Sequence, residues 1–218
     1  MKGLSTDELI AALGADADAV NPLPSPLRRA LLALGTIALF GAAAILLLSG
    51  QNPIDVRPDA DRAMLALELL AMLGTGGAAV VAAFHLSIPG RSRRWLAAPF
   101  VPFALWLLLS GAGCYRDFVR NGPTGWEIGH SLDCLIFILG ASVLVGTPLL
   151  WRLSRAAPID PLPVALLGGL GTAAFSAFLL AFFHPFAVTF IDLAVHLAAI
   201  LIVVALAALL KKPMLRSA

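Results

Sequence analysis

Six apolar runs of about 20 residues constrain the fold of this 218-residue chain more than any other feature. An α-helix needs about 20 predominantly apolar residues to cross the ~30 Å hydrocarbon core of a bilayer. Proline, glycine and asparagine stand between most of the runs, and these residues are typical of turns. The sequence therefore predicts six transmembrane helices, over Ala30–Ser49, Ala63–Phe84, Trp95–Gly113, Ile128–Trp151, Pro163–Phe183 and Val188–Leu210.

The low charge content supports this interpretation. Only 13% of the residues are charged and 60% are hydrophobic, whereas soluble domains carry roughly 25% charged residues. The run that starts at Ala30 is too long for a signal peptide, and no convincing cleavage site follows it. We predict an all-α fold, a polytopic six-helix bundle, with too little chain outside the bilayer for a soluble catalytic domain.

The positive charges predict the orientation of the bundle. Eleven of the 15 Lys and Arg residues fall on one side of the six spans, together with both termini. Because basic residues accumulate in the cytoplasmic segments of membrane proteins, we expect both termini in the cytoplasm. The chain then divides into a cytoplasmic N-terminal segment (1–29), a six-helix transmembrane domain (30–210) and a cytoplasmic tail (211–218).

The N-terminal segment encodes a short amphipathic helix on a proline-rich tether. Ser5-Thr-Asp-Glu8 is a capping box, and Leu4 and Leu9 occupy the positions of a hydrophobic staple around it. With Leu9, the residues Ile10 and Leu13 form an apolar stripe, and a glycine at position 14 is a natural helix stop. The prolines that follow, up to residue 26, predict a stiff and extended tether.

Two interpretations of this helix are open. It lies on the bilayer or the bundle, or it folds into a groove on a partner protein. Its polar face is acidic, whereas anionic membrane surfaces attract basic helices. An acidic face suits a basic partner such as a DNA-binding protein, while the net charge of +2 gives no reason to expect direct contact with nucleic acid.

Most of the ionisable and thiol groups within the spans fall at one depth, towards the predicted outer side. His130 and Cys134 are four residues apart, as are Asp192 and His196, so each pair projects from one face of a helix. Imidazole and thiolate ligands together suit Zn or Cu, and thiolate favours Cu(I). The sequence thus offers six candidate ligands of a regulatory Cu or Zn ion, with Glu68 nearby: Cys114, His130, Cys134, His184, Asp192 and His196.

Each candidate also has a structural interpretation. Cys114 and Cys134 suit a disulfide between the third and fourth spans, a metal- or redox-responsive pair, or inert buried thiols. Asp192 and His196 suit a polar pair that joins helices, and His184 a turn before proline. The chain contains no phosphate-binding loop and no protease or hydrolase motif. We therefore predict a protein that is not an enzyme, with a small metal-binding carrier or membrane enzyme as the alternative.

Several segments resemble the NrsF family, six-helix membrane proteins described as negative regulators of an extracytoplasmic-function sigma factor. Two of these segments are specific strings, Ser-Ile-Pro-Gly-Arg-Ser-Arg-Arg-Trp and Gly-His-Ser-Leu-Asp-Cys. The resemblance covers essentially the whole chain and includes Thr6–Leu13, Leu86–Trp95, Gly113-Cys114, Gly129–Cys134 with the apolar residues that follow, and Phe183-His-Pro185 with Asp192 and His196.

The resemblance implies an anti-sigma factor that holds its sigma factor at the bacterial inner membrane until stress arrives. Family members are associated with heavy-metal stress, which implies that Cys114 and Cys134 form the sensor. The segment over residues 1–26 is the implied sigma-binding element, and within it we expect Leu4, Glu8, Leu9, Ile10 and Leu13 to contact the partner. The sensing domain would signal to this segment by a two-state change in helix packing.

Overall fold

A computed structural model describes residues 5–15, 22–48, 62–123, 128–183 and 189–211, and all regular secondary structure within these ranges is helical. A short helix, α1, spans Thr6–Ala15, and a 3-10 helix spans Arg93–Ala97. The six long helices are α2 (Pro26–Leu48), α3 (Arg62–Leu86), α4 (Phe100–Asn121), α5 (Ile128–Ser154), α6 (Pro161–Leu180) and α7 (Phe190–Leu209).

The six long helices confirm the predicted spans, since each is long and apolar enough to cross a membrane. The first span begins earlier than predicted, at Pro26 rather than Ala30. Proline is well suited to the first position of a helix because the N–H that it lacks would have no intrahelical partner there. Ser25 supports this start, because its Oγ accepts a hydrogen bond from the Arg28 N–H at 3.4 Å. The paired arginines therefore belong to the first turn of α2.

The third span differs from its prediction at both ends. We predicted Trp95–Gly113, whereas α4 covers Phe100–Asn121 and follows the 3-10 helix. Pro99 occupies the N-cap, and Gly122 ends the helix with φ +72°, a left-handed conformation that glycine adopts without a steric cost. Consequently Cys114, which we expected at the end of the span, lies inside α4, roughly two turns before its last residue.

The central element is α6, which packs against α3, α5 and α7. In its most apolar stretch 72% of the residues are buried, compared with 17% for α2. Close approach depends on glycine: a Cβ added to Gly169 would lie 2.9 Å from Ala207 Cβ and 3.0 Å from Val204 Cα. A Cβ on Gly171 would lie 2.9 Å from Val80 Cγ2. Small residues thus let the neighbouring helices approach α6 closely, as in other membrane bundles.

Consecutive long helices run in opposite directions, so helix starts and helix ends alternate at each of the two ends of the bundle. The Arg29 end is where the start of α2 meets the end of α5, through a contact between Arg29 and Arg152. The cysteine end carries Cys114 and Cys134 and is where the start of α5 meets the start of α7. The distribution of positive charge predicts that the Arg29 end faces the cytoplasm.

Candidate functional site

The two cysteines lie at the cysteine end as buried thiols. Cys114 is 2% exposed on α4, and Cys134 is 5% exposed in the second turn of α5. Cys134 belongs to a small apolar cluster that includes Ile138 on its own helix and Ala177 on α6. Both thiols are therefore buried, and Cys134 packs against residues of α6 and α7.

Asp192 organises the polar groups between α5 and α7. Its Oδ1 accepts a hydrogen bond from the Ser131 hydroxyl at 2.6 Å. Its Oδ2 accepts from the Thr189 backbone N–H at 3.0 Å and from the Thr189 hydroxyl at 2.9 Å. The Thr189 hydroxyl accepts in return from the Asp192 N–H, which completes a capping box at the start of α7. This carboxylate thus caps one helix and joins it to another.

Two carboxyl groups share the cysteine end of the bundle with the thiols. Asp192 acts electrostatically on Cys114 and on Cys134, and Glu68 of α3 also acts on Cys114. Glu68 Oε1 lies 3.5 Å from the position that a Cβ on Gly113 would occupy, so this carboxylate packs against the α4 backbone beside Cys114.

His196 lies one turn after Asp192 and lines a cavity. The cavity has a volume of about 30 Å³, and its polar lining comes from Glu68, Ser110 and His196. Trp106 also lines it, and the buried indole N–H of this residue has no acceptor within the described part of the chain. A cavity of this volume is large enough to hold a water molecule.

The structure tests the predicted ligand set only in part. Cys114, Cys134, Asp192 and His196 all lie at the cysteine end, as predicted from their depth in the spans. The backbone of His130 belongs to α5, but its side chain and the whole of His184 lie outside the described residues. Within the described ranges, no three His, Cys, Asp or Glu side chains are arranged to hold a metal ion.

The predicted partner-binding helix is present as α1, and none of its residues is buried. The capping box forms as predicted: the Ser5 N–H donates to Glu8 Oε2 at 2.8 Å, and the Glu8 N–H donates to Ser5 Oγ at 3.3 Å. The hydrogen bond from the Ser5 backbone N–H, followed by a smaller contribution from the Ser5 side chain, lowers the pKa of the Glu8 carboxyl group. Leu9, Ile10 and Leu13 are between 47% and 65% exposed, while Leu4 lies outside the described residues.

Sequence reasoning missed the groups that connect the helices. Thr189 and Asp192 have the same spacing as Ser5 and Glu8, so the second capping box was recognisable from its pattern. Ser131, which joins that box to α5, carries no such signal, because the partner of a buried serine is set by tertiary packing. The same holds for Arg29, which sequence reasoning used only as evidence of topology.

The comparison with protein families agrees with this architecture. The family model NrsF, described as a negative regulator of sigma F, matches residues 13–216. The matched residues include all six long helices and begin near the end of α1. No curated protein and no solved structure matches the chain. Because the family model covers most of a chain with six candidate membrane spans, the protein is a multi-pass membrane protein that belongs to the NrsF family of negative regulators of sigma F.

Proposed function

We propose that the protein is an anti-sigma factor that holds an extracytoplasmic-function sigma factor at the inner membrane and releases it under stress. The observation that carries this proposal is the family match over residues 13–216. The helical bundle supplies the membrane anchor. Positive charge at the Arg29 end favours a cytoplasmic position for that end, and hence for α1, where a sigma factor is found.

The sigma-binding element in this proposal is α1. Its apolar stripe, formed by Leu9, Ile10 and Leu13, is exposed along one side of a helix that already has its first turn capped. An amphipathic helix of this kind binds partners by placing its apolar face in a groove. Asp7 and Glu8 put negative charge in the first turn, which suits a groove with a basic rim.

Binding of the sigma factor is tested with the full-length protein in lipid nanodiscs. Replacing Leu9 and Leu13 together with Asp should weaken sigma binding by at least about tenfold, because each leucine contributes roughly 1.5–3 kcal/mol when buried. The matched control is Ala11→Asp/Ala15→Asp, which adds the same two negative charges on the opposite side of α1. Equal affinity for the wild type and the double variant would rule out α1 as the binding element.

We place the sensor at the cysteine end, at Cys114 and Cys134. Two routes to a signal suit the site. In the first, a thiophilic ion such as Cu(I) or Zn(II) binds both thiolates, helped by the negative charge of Glu68 and Asp192. Asp192, His130, His184 and His196 are further candidate ligands. In the second, an oxidant takes two electrons and two protons from the thiols, which form one disulfide bond.

The sensor is tested by titrating Cu(I) and Zn(II) into the wild type and into the Cys114→Ser/Cys134→Ser variant. Under the first route we expect stoichiometric binding that the double variant loses, and metal-induced transcription that it loses as well. Under the second route the wild type binds no metal, and mass spectrometry finds one disulfide after exposure to oxidant. Normal induction in the double variant would exclude both routes.

The same measurements separate the proposal from the alternative of a membrane carrier or enzyme. Deletion of residues 1–26 should abolish repression while it leaves metal binding at the cysteine end intact. A carrier or enzyme would keep its activity after this deletion, since its chemistry would depend on the buried cysteines and histidines alone.

A further inference from the structure

Arg29 is a buried charge at the junction between the N-terminal segment and the bundle. It lies in the first turn of α2 and is 9% exposed, whereas its neighbour Arg28 is exposed. A buried guanidinium is stable only if hydrogen bonds and nearby groups replace the water it has lost. The contacts of Arg29 therefore add to those of the buried Ala30 and Ala33 in attaching the start of α2 to the bundle.

Those contacts come from two other helices. Arg29 Nη2 donates a hydrogen bond to the backbone carbonyl of Arg152 at 3.2 Å, close to the end of α5. The guanidinium also lies over the Phe84 ring of α3, with its Cζ 5.1 Å from the ring centre. Its other terminal nitrogen, Nη1, is buried and has no partner within the described residues. Arg29 thus attaches α2 to α3 and α5, but one of its two terminal nitrogens has no hydrogen bond within the described residues.

The carbonyl that Arg29 binds belongs to the last turn of α5, where four carbonyls lack intrahelical partners. Three of them are satisfied locally, by the Ser154 hydroxyl and by the N–H groups of Ala156 and Ala157. The carbonyl of Arg152 is satisfied by Arg29, from another helix. A cation at the C-terminus of a helix is also favoured by the helix dipole. Arg29 is therefore the C-terminal cap of α5.

The opposite end of the same helix lies at the candidate sensor. Ser131 and Cys134 are in the first two turns of α5, and Ser131 binds the Asp192 carboxylate at 2.6 Å. Near the Arg29 end, Arg152 Nη2 donates to Thr36 Oγ1 on α2 at 3.0 Å. The helix α5 thus contacts both regions. Its first turns lie at the candidate sensor, and its last turn contacts the start of α2, the helix to which the N-terminal segment is attached.

We propose that Arg29 is a positioning residue that couples α5 to the tethered helix α1. A movement of α5 that withdraws the Arg152 carbonyl leaves a buried guanidinium with neither terminal nitrogen bonded, a state of high free energy. The first turn of α2 then separates from the bundle, and the tether that carries α1 changes its position. This inference rests on the proposed function, since it explains how a signal at the cysteines reaches the sigma-binding element.

Hydrogen exchange of the full-length protein in nanodiscs tests the attachment without any sigma factor. Arg29→Gln should accelerate exchange of the amides of residues 29–36 by about tenfold or more, because a hydrogen bond from a charged group is lost. Arg28→Gln is the matched control and should leave these amides unchanged. Equal exchange in the two variants would overturn the inference.

A transcription assay then tests the coupling. Arg29→Gln should raise uninduced transcription and abolish further induction, while Arg28→Gln should repress as the wild type does. Faster exchange in Arg29→Gln with normal repression would show an attachment that carries no signal, which also overturns the inference. Failure of the wild type itself to repress would instead contradict the proposed function, and the exchange result would still stand.

A second variant covers the case in which Arg29→Gln does not fold. Phe84→Leu keeps an apolar side chain below the guanidinium but removes the aromatic ring, so it should have a smaller effect of the same sign on exchange and on uninduced transcription. Exchange of the α6 amides, unchanged in both variants, confirms that the bundle is intact. No effect of Phe84→Leu on the α2 amides would contradict the role of this contact.

Discussion

The helices α1 and α6 represent two ways in which this sequence specifies structure. None of the residues of α1 is buried, and its start is defined by local hydrogen bonds of Ser5 with Glu8 and Leu9. In α6 most residues are buried, and its position depends on α3, α5 and α7. Local hydrogen bonds therefore specify the helix that we assign to binding, whereas tertiary packing specifies the helix that holds the bundle together.

The largest effect that this comparison predicts is at Gly169 of α6. Gly169→Ala adds a Cβ that meets Val204 Cα at 3.0 Å, and because that atom is backbone, α7 must move. Because a backbone must shift, we expect a loss of about 3 kcal/mol in the free energy of unfolding, at the upper end of the usual range for overpacking, measured by thermal unfolding in detergent. Gly140→Ala in α5 is the control, since a Cβ there has no neighbour within 4 Å. Gly140→Ala should be neutral or slightly stabilising, because alanine favours a helix more than glycine does. An equal loss in both variants would show that the contact between α6 and α7 is not the cause.

The next effect concerns two buried serines of α5. Ser131→Ala removes a hydrogen bond of 2.6 Å to a carboxylate and should cost about 1.5–3 kcal/mol. Ser142→Ala removes a bond of 3.1 Å to the Ser176 hydroxyl and should cost only about 0.5–1.5 kcal/mol. Thermal unfolding of the two variants gives the order directly. The reverse order would show that the Ser131–Asp192 bond contributes little to the junction of α5 and α7.

The same deletion of a hydroxyl in α1 should have only a local effect. Ser5→Ala removes the acceptor of the Glu8 N–H and should destabilise α1 by about 1 kcal/mol, as for other N-cap residues. Hydrogen exchange should become faster in α1, while the midpoint of thermal unfolding of the bundle stays constant. A shift of that midpoint would show that α1 packs on the bundle, against the exposure of its residues.

The smallest effect is the response of α1 to pH. The folded helix lowers the pKa of Glu8, so the ionised carboxyl group stabilises α1 above its unfolded pKa. This contribution is lost as the pH falls through the lowered value. ¹³C chemical shifts of the labelled full-length protein should report a loss of helix in α1 at low pH. Glu8→Gln, which does not titrate, should show no such change, and a parallel change there would exclude the carboxyl group as the cause.

The contrast also explains which parts of the molecule could be predicted. The six spans follow from hydropathy, and the Ser5–Glu8 box follows from its spacing, because both signals are contained in a short stretch of sequence. The limits of α4 were harder to predict, since Trp95, Leu96 and Ala97 are apolar enough to extend the span but belong to a 3-10 helix that ends before Pro99.

For the candidate site, the sequence predicted how deep its residues lie in the bundle but not which residues they hydrogen-bond to. Cys114, Cys134 and Asp192 do lie at one end of the bundle, because antiparallel helices bring residues of equal depth together. The bond from Ser131 to Asp192 joins residues 61 positions apart, and the bond from Arg29 to Arg152 joins residues 123 apart. Periodicity and motif spacing do not extend over such separations, so these pairs required the fold.

The glycine-dependent packing of α6 has a consequence for how the protein is made. The helix is synthesised after α3 and α5, two of its neighbours. It is synthesised before α7, whose backbone packs closely against it at Gly169. Until α7 enters the membrane, lipid tails must cover that side of α6. The stretch that crosses the membrane in α6 is also less hydrophobic than that of α7, with a mean hydropathy of 1.8 against 2.6. A nascent chain interrupted between these two helices therefore presents an incomplete helix interface to the bilayer, the kind of surface that membrane quality-control proteases encounter in unassembled proteins.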